Sequence, residues 1–224
     1  MFPVFQSLLC WCDDVERGGP ENMAVDEWLH ETALQPVLRV YRWQPGWGSL
    51  GYFGALAEAR NSFPELSWVR RWTGGGTVDH RVDWTYTLVV PTEEELATAR
   101  GAESYRVIHA ALAEVLPQEG WNVRLADGSL ETGAASCFEN PVCHDLVDEA
   151  GRKIAGAGQR RTRNGLLHQG SVSGGPDWAD AVIRAERLSE VLSERWDMFH
   201  PLLSDGLLEM RVRHYADAKW TARR

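Results

Sequence analysis

The stretch RRWTGGGTVDH, Arg70 to His80, sets two arginines, a tryptophan and three consecutive glycines ahead of a histidine. Three glycines let a backbone approach a ligand or a neighbouring strand closely and reach positive φ. A phosphate-binding P-loop needs Lys-Ser or Lys-Thr after its last glycine, and a dinucleotide fingerprint opens a helix there. Here Thr77 and Val78 follow, and then the β-rich run TYTLVVP at 85–91. The loop is therefore read as joining two strands, LSWVRRW at 66–72 and TYTLVVP. A sharp connection needing no ligand would satisfy the glycines alone. Arg70 and Arg71 add a second possibility, since paired guanidinium groups suit a phosphate or carboxylate.

Outward from the loop, ENMAVDEWLHETAL at 21–34 spaces Val25, Leu29 and Ala33 as one helix face, and Pro36 follows its end. VLRVYRW at 37–43 alternates as a strand, and QPGWGSLGYFG at 44–54 reads as loop or turn. ESYRVIHAALAEVLP at 103–117 carries an apolar stripe of Val107, Ile108, Ala111, Leu112 and Val115, stopped by Pro117. CHDLVDEAGRKIAGAGQRR at 143–161 predicts a hairpin turning at Glu149 to Gly151, and GLLHQGSVSG at 165–174 a further strand. From Asp177 the spacing of Trp178, Val182, Ala185, Leu188 and Leu192 is helical. The mixed order predicts an α/β or α+β fold, one domain over 1–224 whose portion from about 177 is helical.

With 224 residues and 44% apolar content the chain can bury a substantial core. A net charge of −9 argues against a general nucleic-acid binder. Against that trend, Arg152, Lys153, Arg160, Arg161 and Arg163 fall in one stretch without an acidic residue. No run approaches the roughly 18 apolar residues of a membrane span. MFPVFQSLLCWCDD at the start lacks the basic region of a signal peptide, so a cytoplasmic protein with no membrane partner is expected. Its four cysteines are then expected as thiols. Cys137, Cys143 and His144 match no zinc spacing, and no metal is expected.

Taken together, ENMAVDEWL, LRVYRWQPGWGSLGYF, VRRWTGGGTVDH, DWTYTLVV, SCFENP, GRKIAGAGQRR and LLHQGSV resemble, in order and spacing, the biotin/lipoate ligase and lipoyl-transferase superfamily. The resemblance covers about positions 20 to 175 and implies a mixed β-sheet flanked by helices. It implies that the glycine loop lies along a medium-chain acyl or lipoyl tail. Substrate-binding roles then fall to Arg70, Arg71, Trp72, Thr73, Gly74, Gly75, Gly76, His80, Gly156 and His168. Trp72 stands where a small residue is common, and its bulk is expected to shorten the acyl tunnel.

Within the superfamily, SCFENP resembles the cysteine-containing segment of the octanoyltransferases, which makes Cys137 the nucleophile. A thiol reacts as thiolate and needs a nearby cation; Lys153 can supply one and can steady charge developing on the attacked carbonyl. His80 is the alternative proton handler, since imidazole titrates near neutrality. Such a transferase needs no cofactor. Its partners would be acyl carrier protein and lipoyl domains, those of 2-oxoacid dehydrogenase E2 subunits or the glycine-cleavage H protein, and the basic run 152–163 would meet these acidic proteins. Two other readings stay open: a lipoate or biotin ligase using ATP and Mg, and a non-catalytic relative that binds an acyl group or a lipoyl domain.

Overall fold

Alternation along three neighbouring strands decides where everything else goes. The computed structural model describes residues 3–128, 141–204 and 206–223. In chain order they form β1 (Leu8–Arg17), α1 (Gly19–Thr32), β2 (Val37–Trp43), β3 (Trp47–Leu50), α2 (Leu56–Ser62), β4 (Ser67–Arg70), β5 (Thr77–Asp79) and β6 (Asp83–Val90). Then come α3 (Glu95–Thr98), α4 (Gly101–Val115), β7 (Arg124–Leu125), β8 (Leu146–Val147), β9 (Lys153–Thr162), β10 (Gly165–Ser173), α5 (Trp178–Leu192), β11 (Trp196–Met198), α6 (Glu209–Ala216) and α7 (Ala218–Ala222). A large mixed sheet runs β11-β1-β2-β6-β10-β9-β8-β7, and a small one runs β4-β3-β5.

In the large sheet Leu38 stands opposite Leu88, and His168 opposite Leu88 on the other side, so even-numbered residues of β2, β6 and β10 share one face. That face packs Leu38, Val40, Leu88, Val90, Leu166 and Val172 against Ile108, Ala111, Leu112 and Val115 of α4 and Ala185, Leu188 and Leu192 of α5. α4 buries the stripe its spacing predicts; on α5 Ala185, Leu188 and Leu192 do so, with Ala181 buried where Val182 was expected, and Asp177 caps α5 by accepting from Asp180 N–H at 3.0 Å. On the opposite face Val37, Val89 and Leu167 meet Val25 and Leu29 of α1. Beside that apolar row the same face turns polar, with Arg39, Thr87 and Gln169 in register.

Those polar residues converge on α1. Arg39, fully buried, donates to Asp26 at 2.7 Å, to Asp13 at 2.8 and 3.0 Å and to the Asn22 side chain at 2.9 Å. Thr87 and Gln169 each donate to Asp26 at 2.7 Å, and Tyr41 at 3.2 Å. A helix carrying a carboxylate on its buried face has one seat on this sheet.

Several elements differ from the sequence reading: the glycine loop joins β4 to β5, a short strand paired with β3, rather than to β6, and α2 was unread. The stretch 44–54 contains β3, because Ser49 and Leu50 find backbone partners on both sides, in β4 and β5. β1, unread in the N-terminal stretch, pairs in parallel with β2. The portion after 177 is not wholly helical, since β11 extends the sheet beside β1. Breaking one partner of a buried ion pair costs about 3–5 kcal/mol. Arg39→Leu, which leaves Asp26 without its cation and Asp13 with Arg17 alone, is expected to lose that much in a urea melt; a loss below about 1 kcal/mol would show that α1 is seated by apolar contacts alone.

Candidate functional site

The small sheet stands over the polar face of the large one, and a cavity of about 420 Å³, counted to its open end, runs between them. Its floor is one sheet row, Tyr41, Thr85, Ser171 and Gly156 in register across β2, β6, β10 and β9. Gln169 and Gly158 extend the floor; Ser49, Arg71, Val78 and His80 form the roof; Trp43, Lys153, Ala157 and Gly170 complete the lining.

A chain of hydrogen bonds joins roof to floor. Arg71 donates to Ser49 Oγ at 2.7 Å, and the Ser49 hydroxyl donates to His80 Nε2 at 2.6 Å. His80 Nδ1–H donates to Asp83 at 2.9 Å, and Asp83 also accepts from Thr85 and Ser171. The order hydroxyl, imidazole, carboxylate is that of a hydrolytic triad. Ser49, however, is held mid-strand in β3 and its oxygen already accepts from Arg71, so the chain acts as a strut. Trp43 stacks on His80 with ring centroids 3.9 Å apart and donates from Nε1 to Thr85 at 3.0 Å. Tyr41, Trp43 and His80 line both this cavity and an outer cleft, so they are the partition between the two.

Lys153, buried at the start of β9, places Nζ 2.8 Å from Asp145. A positive charge in a setting this dry acts strongly on any oxyanion that develops beside it. The glycine run, for its part, serves backbone contact. A Cβ on Gly158 would fall 2.3 Å from Gly74 O and 2.8 Å from Thr73 Oγ1, and Gly75 takes φ of 93°. Thr73 donates to Gln169 at 2.7 Å, and Arg71 donates to Gly74 O and Gly76 O at 3.1 and 3.0 Å. The loop is thus clamped between β9 and its own arginine.

Of the residues singled out from sequence, Arg71, His80, Lys153 and Gly156 come together on the cavity. Thr73, Gly74, Gly75 and Gly76 brace its wall without lining it. Arg70 does something else: it donates to the carbonyls of Gly51, Tyr52 and Gly54 and to those of Thr221 and Arg223, tying α7 to β4. Trp72 packs edge-on to His30 and under Arg160 and does not line the cavity; the tryptophan that lines it is Trp43. His168 is on the other face by strand alternation. Gln159 donates to its Nδ1 at 3.0 Å, leaving Nε2–H to donate to Tyr86 at 3.0 Å, and burial pushes its pKa well below the ordinary value. A neutral, satisfied core histidine results, and Gln169 is the residue that faces the cavity; the signal for it is its two-residue spacing from Leu167, which puts both on the face opposite His168.

The basic run does not surround the site. Arg152 pairs with Asp148 on the surface, Lys153 points inward, Arg160 stacks on Trp72 and Tyr52, and Arg161 donates to Ala97 O and Ser104. Cys137 falls outside the described residues. Cys10 and Cys12 belong to the α5 side of β1, and Cys143 is exposed. Among the described residues no group of three or more His, Cys, Asp or Glu could hold a metal ion, and no helix is long and apolar enough to cross a membrane.

Residues 19–195 match the model of the lipoyl protein ligase A/B catalytic domain. The chain belongs to that family. It is 33% identical over 176 residues to octanoyltransferase LipM of Halalkalibacterium halodurans, covering 71% of this chain and 63% of that protein. To LipM of Bacillus subtilis it is 35% identical over 168 residues, 67% of this chain and 60% of that one. The chain therefore spans about three-fifths of these relatives. A bi-partite lipoate protein ligase from Thermoplasma acidophilum superposes with a TM-score of 0.67 at 17% identity, covering 97% of this chain and 96% of that one. A lipoate-protein ligase A bound with ATP gives 0.66 at 18%, covering 97% and 98%. The ligase-family fold, a mixed sheet flanked by helices, is what this chain adopts.

The glycine contacts make a contrast that can be measured. Overpacking a tight site costs about 1–3 kcal/mol. Gly158→Ala, forced against Gly74 O, is expected to lose that in a urea melt. A Cβ on Gly74 meets nothing within 4 Å, so Gly74→Ala should stay within about 0.5 kcal/mol of the parent. Equal behaviour of the two variants would contradict the clamp.

Proposed function

We propose that the protein moves an octanoyl-type group from the thioester of acyl carrier protein to a lysine of a lipoyl domain through a thioester on Cys137. The observation that carries the reading is the buried Lys153–Asp145 pair on a narrow cavity whose far partition is aromatic. The similarity to octanoyltransferases LipM supports it.

The Cys137 thiolate attacks the acyl carbonyl, and the carrier's sulfur departs and takes a proton. The Lys153 ammonium stabilises the negative charge that gathers on the carbonyl oxygen. A neutral acceptor amine then attacks the enzyme thioester, losing its proton as the amide forms and the Cys137 sulfur is released. The acyl tail runs along Thr85, Ser171 and Gly156 under Val78 and stops at Trp43, with Arg71 and His80 fixing the roof. No cofactor enters these steps. An ATP-dependent ligase would need a cradle for a triphosphate and Mg. The cations lining the cavity, Arg71 and Lys153, are instead bound to Ser49, Gly74 and Gly76, and to Asp145, so no step is derived through ATP.

Mass spectrometry after incubation with octanoyl carrier protein, with and without ATP, tests the route. A hydroxylamine-sensitive adduct on Cys137 formed without ATP is expected, and turnover only with ATP would replace the transferase with a ligase. Cys137→Ser should lower transfer by at least 10³-fold and leave the fold intact, while Lys153→Met should lower kcat about 10²–10³-fold, as loss of an oxyanion partner does.

Chain length gives a separate check. Each methylene in a fitted pocket is worth about 1–3 kcal/mol of discrimination. Trp43→Ala joins the cavity to the outer cleft, so the ratio of kcat/KM for a twelve-carbon over an eight-carbon donor is expected to rise by about tenfold or more. Trp72→Ala should leave that ratio unchanged, and the opposite pattern would return the stop to Trp72.

A further inference from the structure

The turn that supplies Asp145 is held in place by one helix. β8 pairs Leu146 with Ala155 and Val147 with Lys153, and then ends, leaving the same edge of β9 open at Ala157. There the hydroxyl of Tyr105, on α4, accepts from Ala157 N–H at 2.9 Å and donates to Asp145 Oδ1. Asp145 Oδ2 meets Lys153 Nζ at 2.8 Å and accepts from Val142 N–H at 2.7 Å. One turn further along α4, His109 Nδ1–H donates to His144 O at 2.6 Å, its ring centroid 4.1 Å from that of Tyr105. His144, between these two grips, has φ of 71°, the one positive value among the described non-glycine residues. Such a conformation costs energy and persists only where its surroundings over-determine it. Two side chains of α4 do so here.

We propose that Tyr105 is a positioning residue for acyl transfer: through Asp145 it fixes the Lys153 ammonium, and through Ala157 it fixes the β9 backbone at the cavity wall. Tyr105 and Asp145 do not line the cavity, so they act through Lys153 rather than on the acyl group. The proposal rests on the reading that Lys153 serves octanoyl transfer. The hydroxyl has two jobs in one atom because β8 is too short to provide either. Phenylalanine at 105 would keep the ring contacts with His109 and His168 and remove both bonds.

Composition supplies a clean readout of the positioning. Of 23 basic residues only Lys153 and Lys219 are lysines, and Lys219 is exposed on α7. Labelling the intact protein with an N-hydroxysuccinimide ester of acetate, followed by peptide mass spectrometry, reports Lys153 against Lys219 as an internal standard. In Tyr105→Phe the ratio of Lys153 to Lys219 labelling rates is expected to rise at least fivefold. For octanoyl transfer kcat should fall at least tenfold while KM for the lipoyl domain stays within threefold, the mark of an interaction used in the transition state. Because Tyr105 acts in part through Asp145, the double variant with Asp145→Asn should be slowed by clearly less than the product of the two single effects. An unchanged labelling ratio in Tyr105→Phe, or full additivity in the double variant, overturns the proposal. A wild-type protein inactive in transfer would sink the transferase reading instead, and the labelling ratio, which needs no turnover, would still decide whether Tyr105 holds Lys153.

Discussion

The guanidinium of Arg39, shared between Asp13 and Asp26, is the interaction on which the rest of the structure depends. It fixes α1 to the sheet at one angle and one height, because Asp26 must also receive Tyr41, Thr87 and Gln169. Buried ion pairs add little net stability against an apolar replacement. What this one adds is a unique seat: slide α1 by a turn, and a carboxylate is left dry and unpaired. From Gln169 the network continues to Thr73, so the helix, the central strands and the glycine loop share one set of hydrogen bonds.

The cavity follows from the same polar face. Where α1 covers the sheet, Val37, Val89 and Leu167 fill the interface; beyond it, the floor row is small or hydroxylated and the small sheet can close over it without filling it. The strut from Arg71 through Ser49 and His80 to Asp83 holds roof and floor at a fixed separation. The result is a narrow slot with two cations in its lining, Arg71 on the roof and Lys153 at the start of β9.

Lys153 is also where the two layers of the protein communicate. Its carboxylate partner comes from a strained turn, and that turn is gripped from α4, whose other face is packed in the main core. The proposed chemistry is thus supported from the main core, through α4.

Periodicity located α1, α4, α5 and β2, while β-rich composition located β4 and β6 and turn residues located β9 and β10, because each signal survives as a local pattern. The motif resemblance likewise pointed to Lys153, Arg71, His80 and Gly156, whose roles depend on the strand or loop that carries them. Three things were decided only in three dimensions. β3 and β1 read poorly because a short or parallel strand takes its stability from partners distant in sequence. Trp43 and Trp72 are equivalent as composition; only packing sends one to the cavity and the other beneath Arg160. His168 and Gln169 differ by one position, and a period of two turns that difference into opposite faces of the sheet: a neutral core histidine on one side, and on the other the amide that joins Asp26 to the glycine loop.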